Sequence, residues 1–212
     1  MRFLVSALLA VFLPGVATAF WDLCVRLART EKLLLPIAVG IAAGIVAERV
    51  LVRRFRRVSI FEHELTHAVA ALLFLRPVHE FRVRHDGGYV QHGGGVGGEF
   101  ANDFIGFAPY VLPTFTAASV LARPFLGPSW VPWFDAWVGL TLGYHTLSTV
   151  REVRSNWHKG HFLRAGTGDS VQSDIGSRGY VYSAIYISTT TLAIHGVLFA
   201  IVLRGYHGVP AW

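Results

Sequence analysis

Apolar stretches of membrane length are the feature that most limits what this chain can fold into. They run over 3–20, 33–52, 101–122, 131–150 and 180–204. A helix needs about 20 apolar residues to cross a hydrocarbon core. Hydrophobic residues make up 53% of the chain and charged residues only 15%, with a mean hydropathy of +0.46. That balance is typical of integral membrane proteins, so we predict an all-α membrane bundle of about five or six helices.

The net charge of +6 comes largely from two basic clusters beside apolar spans. Their members are Arg49, Arg53, Arg54, Arg56 and Arg57 in the first, and Arg151, Arg154, Lys159 and Arg164 in the second. Basic residues in this position are typical of cytoplasmic loops. The charge therefore indicates contact with a lipid bilayer rather than with nucleic acid. We expect a multi-pass protein of a bacterial-type inner or cell membrane.

A shorter apolar stretch over 60–75 carries His63-Glu64-Leu65-Thr66-His67, an H-E-x-x-H motif. Residues four apart share one face of a helix, so His63 and His67 can bind one ion there. Glu64 then lies beside that ion and can take a proton from a bound water. Zinc suits two imidazoles with an open position, and we expect one Zn²⁺ per chain. The alternative is a polar helix end with two unrelated histidines.

The residues around this motif predict the ends of its helix and a β-hairpin after it. Ser59 is a candidate N-cap, and Pro77 stops the helix. Alternation over 81–86 followed by Gly87-Gly88 predicts two short antiparallel strands, although an exposed loop would also fit.

Two polar positions in apolar surroundings and one strand are further candidates. Gly88, Tyr89 and Val90 lie where a strand could bind an unwound substrate segment, unless the hairpin is purely structural. His145 lies inside an apolar span, where it either supports the metal site or hydrogen-bonds a neighbouring helix. Asn102 either orients substrate or water, or caps a helix.

The order of these parts resembles the site-2 protease family of intramembrane zinc metalloproteases. The resemblance covers roughly residues 60–190. It rests on F-E-H-E-L-T-H-A-V-A-A-L-L-F at 61–74, the Gly-rich strand pair at 81–90, A-P-Y-V-L-P at 108–113 and Q-S-D-I at 172–175. No PDZ-type domain is recognisable, so the chain resembles a compact member. We divide it into N-terminal anchor helices over 1–58 and a metallopeptidase-like core over 59–212. The first stretch, 3–20, is either a retained anchor or a cleaved signal peptide.

The resemblance implies a ligand set and a reaction. His63 and His67 are implied as zinc ligands, Glu64 as the general base, and a later aspartate as the third ligand. Asp174 in Q-S-D-I is the first choice for that aspartate, and Asp169 is the alternative. The implied activity is hydrolysis of peptide bonds in transmembrane protein or peptide substrates.

Two other functions remain open from the sequence. One is a catalytically inactive relative that binds partner helices, against which the intact Glu64 argues. The other is a metal-ion transporter, which would place carboxylates in the middle of several spans. Outside the Glu64 helix and Asp135 near the start of another span, acidic residues are almost absent from the spans of this chain, and this favours the peptidase.

The two basic clusters also constrain the route of the chain. They predict that His63 and Asp174 both lie toward the cytoplasmic side. The segment 60–76 is only about 25 Å long as a helix, shorter than a hydrocarbon core of about 30 Å. We therefore expect residues 77–100 to fold back as the hairpin and return to the cytoplasmic side. The spans 101–122 and 131–150 then pair through an external connection at 123–130, and the last span leaves Trp212 outside.

Overall fold

The computed structural model describes residues 2–54, 56–85, 87–162, 175 and 178–207. Within them lie seven α-helices and one antiparallel two-stranded sheet. In chain order these are α1 (Arg2–Ala28), α2 (Glu31–Arg54), α3 (Arg56–Leu73), β1 (Val78–Val83), β2 (Gly88–His92), α4 (Gly98–Val111), α5 (Thr114–Ala122), α6 (Val131–Phe162) and α7 (Tyr180–His207). Two 3₁₀ turns, Arg123–Phe125 and Pro128–Trp130, connect α5 to α6. The predicted helical bundle with a small hairpin is confirmed.

Three of the described helices are long and apolar enough to cross a membrane, namely α1, α2 and α7. A fourth span exists if α4 and α5 count as one, since an angle of 81° separates them at a short break. Pro113 lies in that break and has no backbone N–H to continue a helix. The apolar stretch 101–122 is therefore divided between two helices. The stretch 131–150 is helical within α6, but Asp135 and His145 make it less apolar than the others, and both are buried in the bundle.

The motif helix α3 starts earlier than the sequence indicated. Its first residue is Arg56, and Ser59 lies inside it rather than capping it. The Ser59 hydroxyl instead accepts a hydrogen bond from Arg151 of α6, at 3.2 Å. The prediction of Ser59 as the N-cap is therefore wrong, because α3 begins three residues before it.

Four glycines bring α2 and α6 into backbone contact. Gly40 and Gly44 of α2 face the main chain of α6, while Gly139 and Gly143 of α6 face the main chain of α2. A Cβ at any of the four would overlap a carbonyl oxygen of the opposite helix. Small residues four apart are a common means of close packing between membrane helices. This contact fixes the position of α6 beside α2.

The route from α3 to α4 differs from the predicted one. The hairpin base lies at the end of α3, where Gly93 N donates to Pro77 O at 2.9 Å. The next segment stays there, since Val96 N donates to Phe74 O at 3.0 Å. The hairpin over 77–100 therefore does not return the chain to the start of α3, and this prediction is wrong.

The return is made by α4, which runs antiparallel to α3. Phe74 contacts Phe100, while His63 contacts Tyr110 further along α4.

If the glycine contact positions α6, then filling it should destabilise the bundle. Gly44→Val would force a side chain against the backbone of Leu140 and Tyr144, which cannot rotate away. We expect a loss of about 1–3 kcal/mol or more of stability. Thermal unfolding in detergent should show a lower midpoint for Gly44→Val than for Ala43→Val, because Ala43 is exposed. Equal midpoints would contradict the role of the glycine contact.

Candidate metal centre

His63 and His67 of α3 turn the same ring atom toward each other. The two Nε2 atoms are 3.2 Å apart. The ring centroids are 4.9 Å apart with an angle of 72° between the planes. The i, i+4 spacing of the motif thus gives a converging pair of nitrogens, as predicted from helical geometry.

The other ring nitrogen of each histidine has an oxygen partner on a neighbouring helix. His67 Nδ1 lies 2.7 Å from the Ile105 carbonyl oxygen of α4. His63 Nδ1 lies 2.9 Å from Glu152 Oε2 of α6. A carbonyl or carboxylate oxygen only accepts hydrogen bonds, so each neutral ring carries its proton on Nδ1. Each Nε2 then offers a lone pair to the space between the rings.

This arrangement fits a zinc ion. Two lone pairs at 3.2 Å repel each other unless a cation or a proton lies between them. Two nitrogens bound to zinc at about 2.0–2.1 Å with tetrahedral angles lie about 3.3 Å apart. The observed separation is therefore close to the one that zinc requires. Hydrogen bonds from Nδ1 to oxygen acceptors are also the usual support of metal-binding histidines.

The third predicted ligand cannot be compared with this pair. Asp174 and the alternative Asp169 both lie outside the described residues. Within the described part of the chain, no group of three His, Cys, Asp or Glu side chains is arranged to hold a metal ion.

The chain next to Asp174 is nevertheless held against α4. Ile175 is fully buried in a cluster with Phe107 and Tyr110 of α4. Arg178 donates from Nε to Asp103 Oδ1 at 3.0 Å, and its guanidinium lies 5.2 Å from the Phe107 ring. Tyr110 in turn contacts the His63 ring, with 6.0 Å between centroids. Two described residues that follow Asp174 therefore pack on the helix that borders the histidine pair.

Glu64 is buried and lies against the hairpin. A Cβ built on Gly88 of β2 would be 2.6 Å from Glu64 Cγ and 2.9 Å from Glu64 Oε1. The exposed fraction of Glu64 is 7%. Gly88 thus leaves the space that the Glu64 carboxyl group occupies. This puts the predicted general base at the start of the predicted substrate strand.

The other hairpin candidates have contacts within the sheet. Val90 pairs with Phe81 across the two strands. The Tyr89 ring lies 5.7 Å from the Arg82 guanidinium, and a hydrogen bond to the Glu80 carboxylate raises the pKa of Tyr89. Because these contacts belong to the sheet itself, a role of Tyr89 and Val90 in substrate binding stays a prediction.

Asn102 and His145 contact residues other than the two histidines. Asn102 Oδ1 accepts a hydrogen bond from Arg76, which also donates to the Gly98 carbonyl at 3.0 Å. His145 Nδ1 lies 3.6 Å from Glu62 Oε1 of α3. Arg76 thus connects the end of α3 to the start of α4 through Asn102. His145 of α6 contacts Glu62 of α3, the residue before the motif, and so it connects these two helices.

An apolar cavity of about 650 Å³ opens between α6 and α7 beside this site. Tyr110, His145, Val153, Ile187 and Leu192 are among its lining residues. A second cavity, of about 410 Å³, shares Thr146, Val150 and Leu192 with the first. The two together form a cleft that extends for about 16 Å along α6, from the level of Leu142 to that of Val153. Tyr110 lines the cleft and also contacts His63.

Sequence reasoning missed Glu152 and the Ile105 carbonyl, which orient the two rings. Glu152 is separated from His63 by 89 positions, and no spacing rule connects them. One signal was available: Glu152 is an acid between Arg151 and Arg154, in a segment read only for its basic residues. The carbonyl of Ile105 carries no side-chain signal, since every residue has one.

The fold and this site define a membrane protein with the paired histidines of a metallopeptidase. A model of the family described as Peptidase M50B-like matches residues 36–157. This is more than half of the chain, which therefore belongs to that family and is consistent with the site-2 protease resemblance. Membership suggests an integral membrane metallopeptidase. No curated protein and no solved structure matches the chain.

The contact between Gly88 and Glu64 generates a prediction about activity. Gly88→Ala should displace the Glu64 carboxyl group, because the added methyl group would overlap it. A displaced catalytic group typically costs about 10- to 100-fold in rate, while zinc bound to the histidines should be retained. The matched control is Gly87→Ala, where a Cβ meets nothing within 4 Å. Equal rates of substrate cleavage in the two variants would contradict the role of Gly88.

Proposed function

We propose that this protein is a membrane-embedded zinc endopeptidase that hydrolyses peptide bonds of membrane protein substrates. The observation that carries the proposal is the convergence of the His63 and His67 Nε2 atoms at 3.2 Å, with buried Glu64 next to them in the same helix. Membership in the Peptidase M50B-like family supports the same reaction class.

The reaction follows from the roles of these side chains. Zinc, when held by the histidine pair, would bind a water molecule and lower its pKa to about 7. Glu64 accepts one proton of the attacking water at a carboxylate oxygen, and the water oxygen bonds to the carbonyl carbon of the substrate. The C–N bond then breaks, and Glu64 gives the proton to the leaving amine. His63 and His67 keep their Nδ1 protons throughout, since the Glu152 carboxylate and the Ile105 carbonyl accept hydrogen bonds from these N–H groups.

Asp174 is our proposed third ligand. It immediately precedes Ile175, which is buried with Tyr110 beside His63. Arg178 on the other side of Ile175 is bonded to Asp103 of the same helix α4. These contacts support Asp174 over Asp169, which is further along the chain from the buried residue. Two neutral imidazoles and one carboxylate would leave the ion with a net charge of +1, which limits the cost of its burial.

We further propose two contacts with a membrane substrate. The cleft between α6 and α7 has apolar walls and is lined by Tyr110, so an apolar segment bound there would lie beside a residue that contacts His63. A segment that has unwound could then add to the hairpin as a strand. The described sheet has two strands, so each has one edge not paired with another described strand. Gly88 beside Glu64 supports β2 as the substrate strand, with Tyr89 and Val90 following it.

Among the described residues, the contacts of the buried acids outside α3 disfavour the transporter alternative. Glu48, Asp103 and Asp135 are buried, and each pairs with an arginine: Arg151, Arg178 and Arg123 in turn. A carboxylate bound to a guanidinium is not available to a travelling cation. These three pairs instead stabilise helix contacts. An inactive relative would have the same pairs, and only the test of Glu64 below separates it from the peptidase.

The proposed site faces the cytoplasm of a bacterial-type cell. Gly127 and Ser155 are exposed. Gly127 precedes Val131, the first residue of α6, and Ser155 lies about 36 Å along the helix from Val131. This exceeds a hydrocarbon core of about 30 Å. In a Cys24→Ser background, an impermeant thiol reagent added to intact cells should label a cysteine at Gly127 but not one at Ser155. The reverse pattern would place the site on the outer side.

Zinc binding should depend on the histidine pair. Purified wild-type protein should contain one zinc per chain by elemental analysis, and the double variant His63→Ala, His67→Ala should contain none. Asp174→Ala should lose zinc, while Asp169→Ala should keep it. Full retention of zinc in the double variant would refute the site. Retention of zinc by Asp174→Ala together with its loss in Asp169→Ala would identify Asp169 as the third ligand.

Glu64→Gln tests the reaction itself. The amide has the same shape as the carboxyl group but cannot accept the proton, so cleavage should fall by at least about 100-fold while zinc is retained. Substrates can be found by comparing membrane proteomes of cells with wild-type and Glu64→Gln protein. Unchanged cleavage by a variant that holds zinc would show that Glu64 is not the base. The absence of any difference between the proteomes would favour an inactive relative.

A further inference from the structure

We infer that Glu152 of α6 is a positioning residue that sets the zinc affinity of the centre by holding the His63 ring. This inference rests on the proposed zinc function and adds to it a residue that the H-E-x-x-H motif does not contain. The direct observation is the distance of 2.9 Å between Glu152 Oε2 and His63 Nδ1.

The position of the contact on the ring excludes Glu152 as a ligand of the same ion. Nδ1 and Nε2 point away from each other on an imidazole, and the His63 Nε2 faces His67. A carboxylate bonded at Nδ1 therefore lies on the far side of the ring from the metal position. Glu152 acts through His63 in two ways: it fixes the ring orientation, and its negative charge makes Nε2 a stronger donor to a cation.

A second contact holds Glu152 in register with His63. Ser59 and His63 are four residues apart and lie on one face of α3. Two consecutive residues of α6 contact these side chains. Arg151 donates to the Ser59 hydroxyl at 3.2 Å, and Glu152 contacts His63. Arg151 is also paired with buried Glu48 of α2. Glu152 is thus placed by a three-helix contact and does not depend on a bound metal for its position.

The two histidines are supported unequally. His67 Nδ1 has a neutral backbone carbonyl as its partner, and His63 Nδ1 has a carboxylate. Hydrogen bonds to ionised groups are roughly twice as strong as those between neutral groups. His63 should therefore contribute more to zinc affinity than its symmetrical position in the motif indicates. The side chain of Glu152 is 24% exposed, so a substitution there does not open a cavity in the core.

A double-mutant cycle on zinc affinity tests this inference without any substrate. Zinc dissociation constants are measured by competition with a chromophoric chelator for full-length protein in detergent. Glu152→Ala should weaken zinc binding by about 10- to 100-fold. Glu152→Gln keeps an oxygen that accepts the hydrogen bond, and its loss should be smaller. The control Glu99→Ala, which removes an exposed carboxylate from the first turn of α4, should have no effect.

The background with His63→Ala separates positioning from a general effect on the fold. There Glu152→Ala should change the zinc dissociation constant by less than about twofold, because the ring on which it acts is gone. An equal loss in both backgrounds, or no loss in the wild-type background, would overturn the inference. Should Glu152→Ala fail to fold, the same comparison with Glu152→Gln decides. Failure of the wild-type protein to bind zinc at all would instead refute the proposed function.

Discussion

The close approach of α2 and α6 is the contact on which the candidate metal centre depends. Gly40 and Gly44 on one helix and Gly139 and Gly143 on the other allow backbone to meet backbone. Two helices in lipid gain little from apolar burial, so this packing is a main source of their attraction. Once α6 is fixed beside α2, its far end brings Arg151 and Glu152 to α3.

Several buried charged groups of this bundle have charged or hydroxyl partners on other elements. Arg123 binds Asp135 through two nitrogens, at 2.7 and 3.2 Å, where α5 gives way to α6. Asp103 accepts hydrogen bonds from Arg178 and from the Tyr182 hydroxyl, which connect α4 to α7. An unpaired charge in an apolar environment is costly, so each pair also fixes which helices lie together. The histidine pair differs from these contacts, because with both protons on Nδ1 its two facing nitrogens are both acceptors, which suits a cation or a proton between them.

Local patterns predicted the parts of the molecule that depend on neighbouring residues. The apolar stretches gave the helices, the Gly87-Gly88 pair gave the hairpin, and the four-residue spacing gave the facing Nε2 atoms of His63 and His67. Prediction failed where a distant segment decides the outcome. Ser59 lies inside α3 and accepts a hydrogen bond from Arg151 of α6, and the return of the chain is made by α4. The partners of the histidines, Glu152 and Ile105, come from helices far along the chain, and only packing brings them there.

X-ray absorption at the zinc edge tests the central claim most directly. Purified protein loaded with one equivalent of zinc should show two imidazole ligands at about 2.0–2.1 Å, with oxygen completing the shell and no sulfur. His63→Ala protein should show one imidazole fewer if it retains the metal. A shell with a single imidazole in the wild-type protein, or with sulfur from Cys24, would contradict a centre formed by His63 and His67.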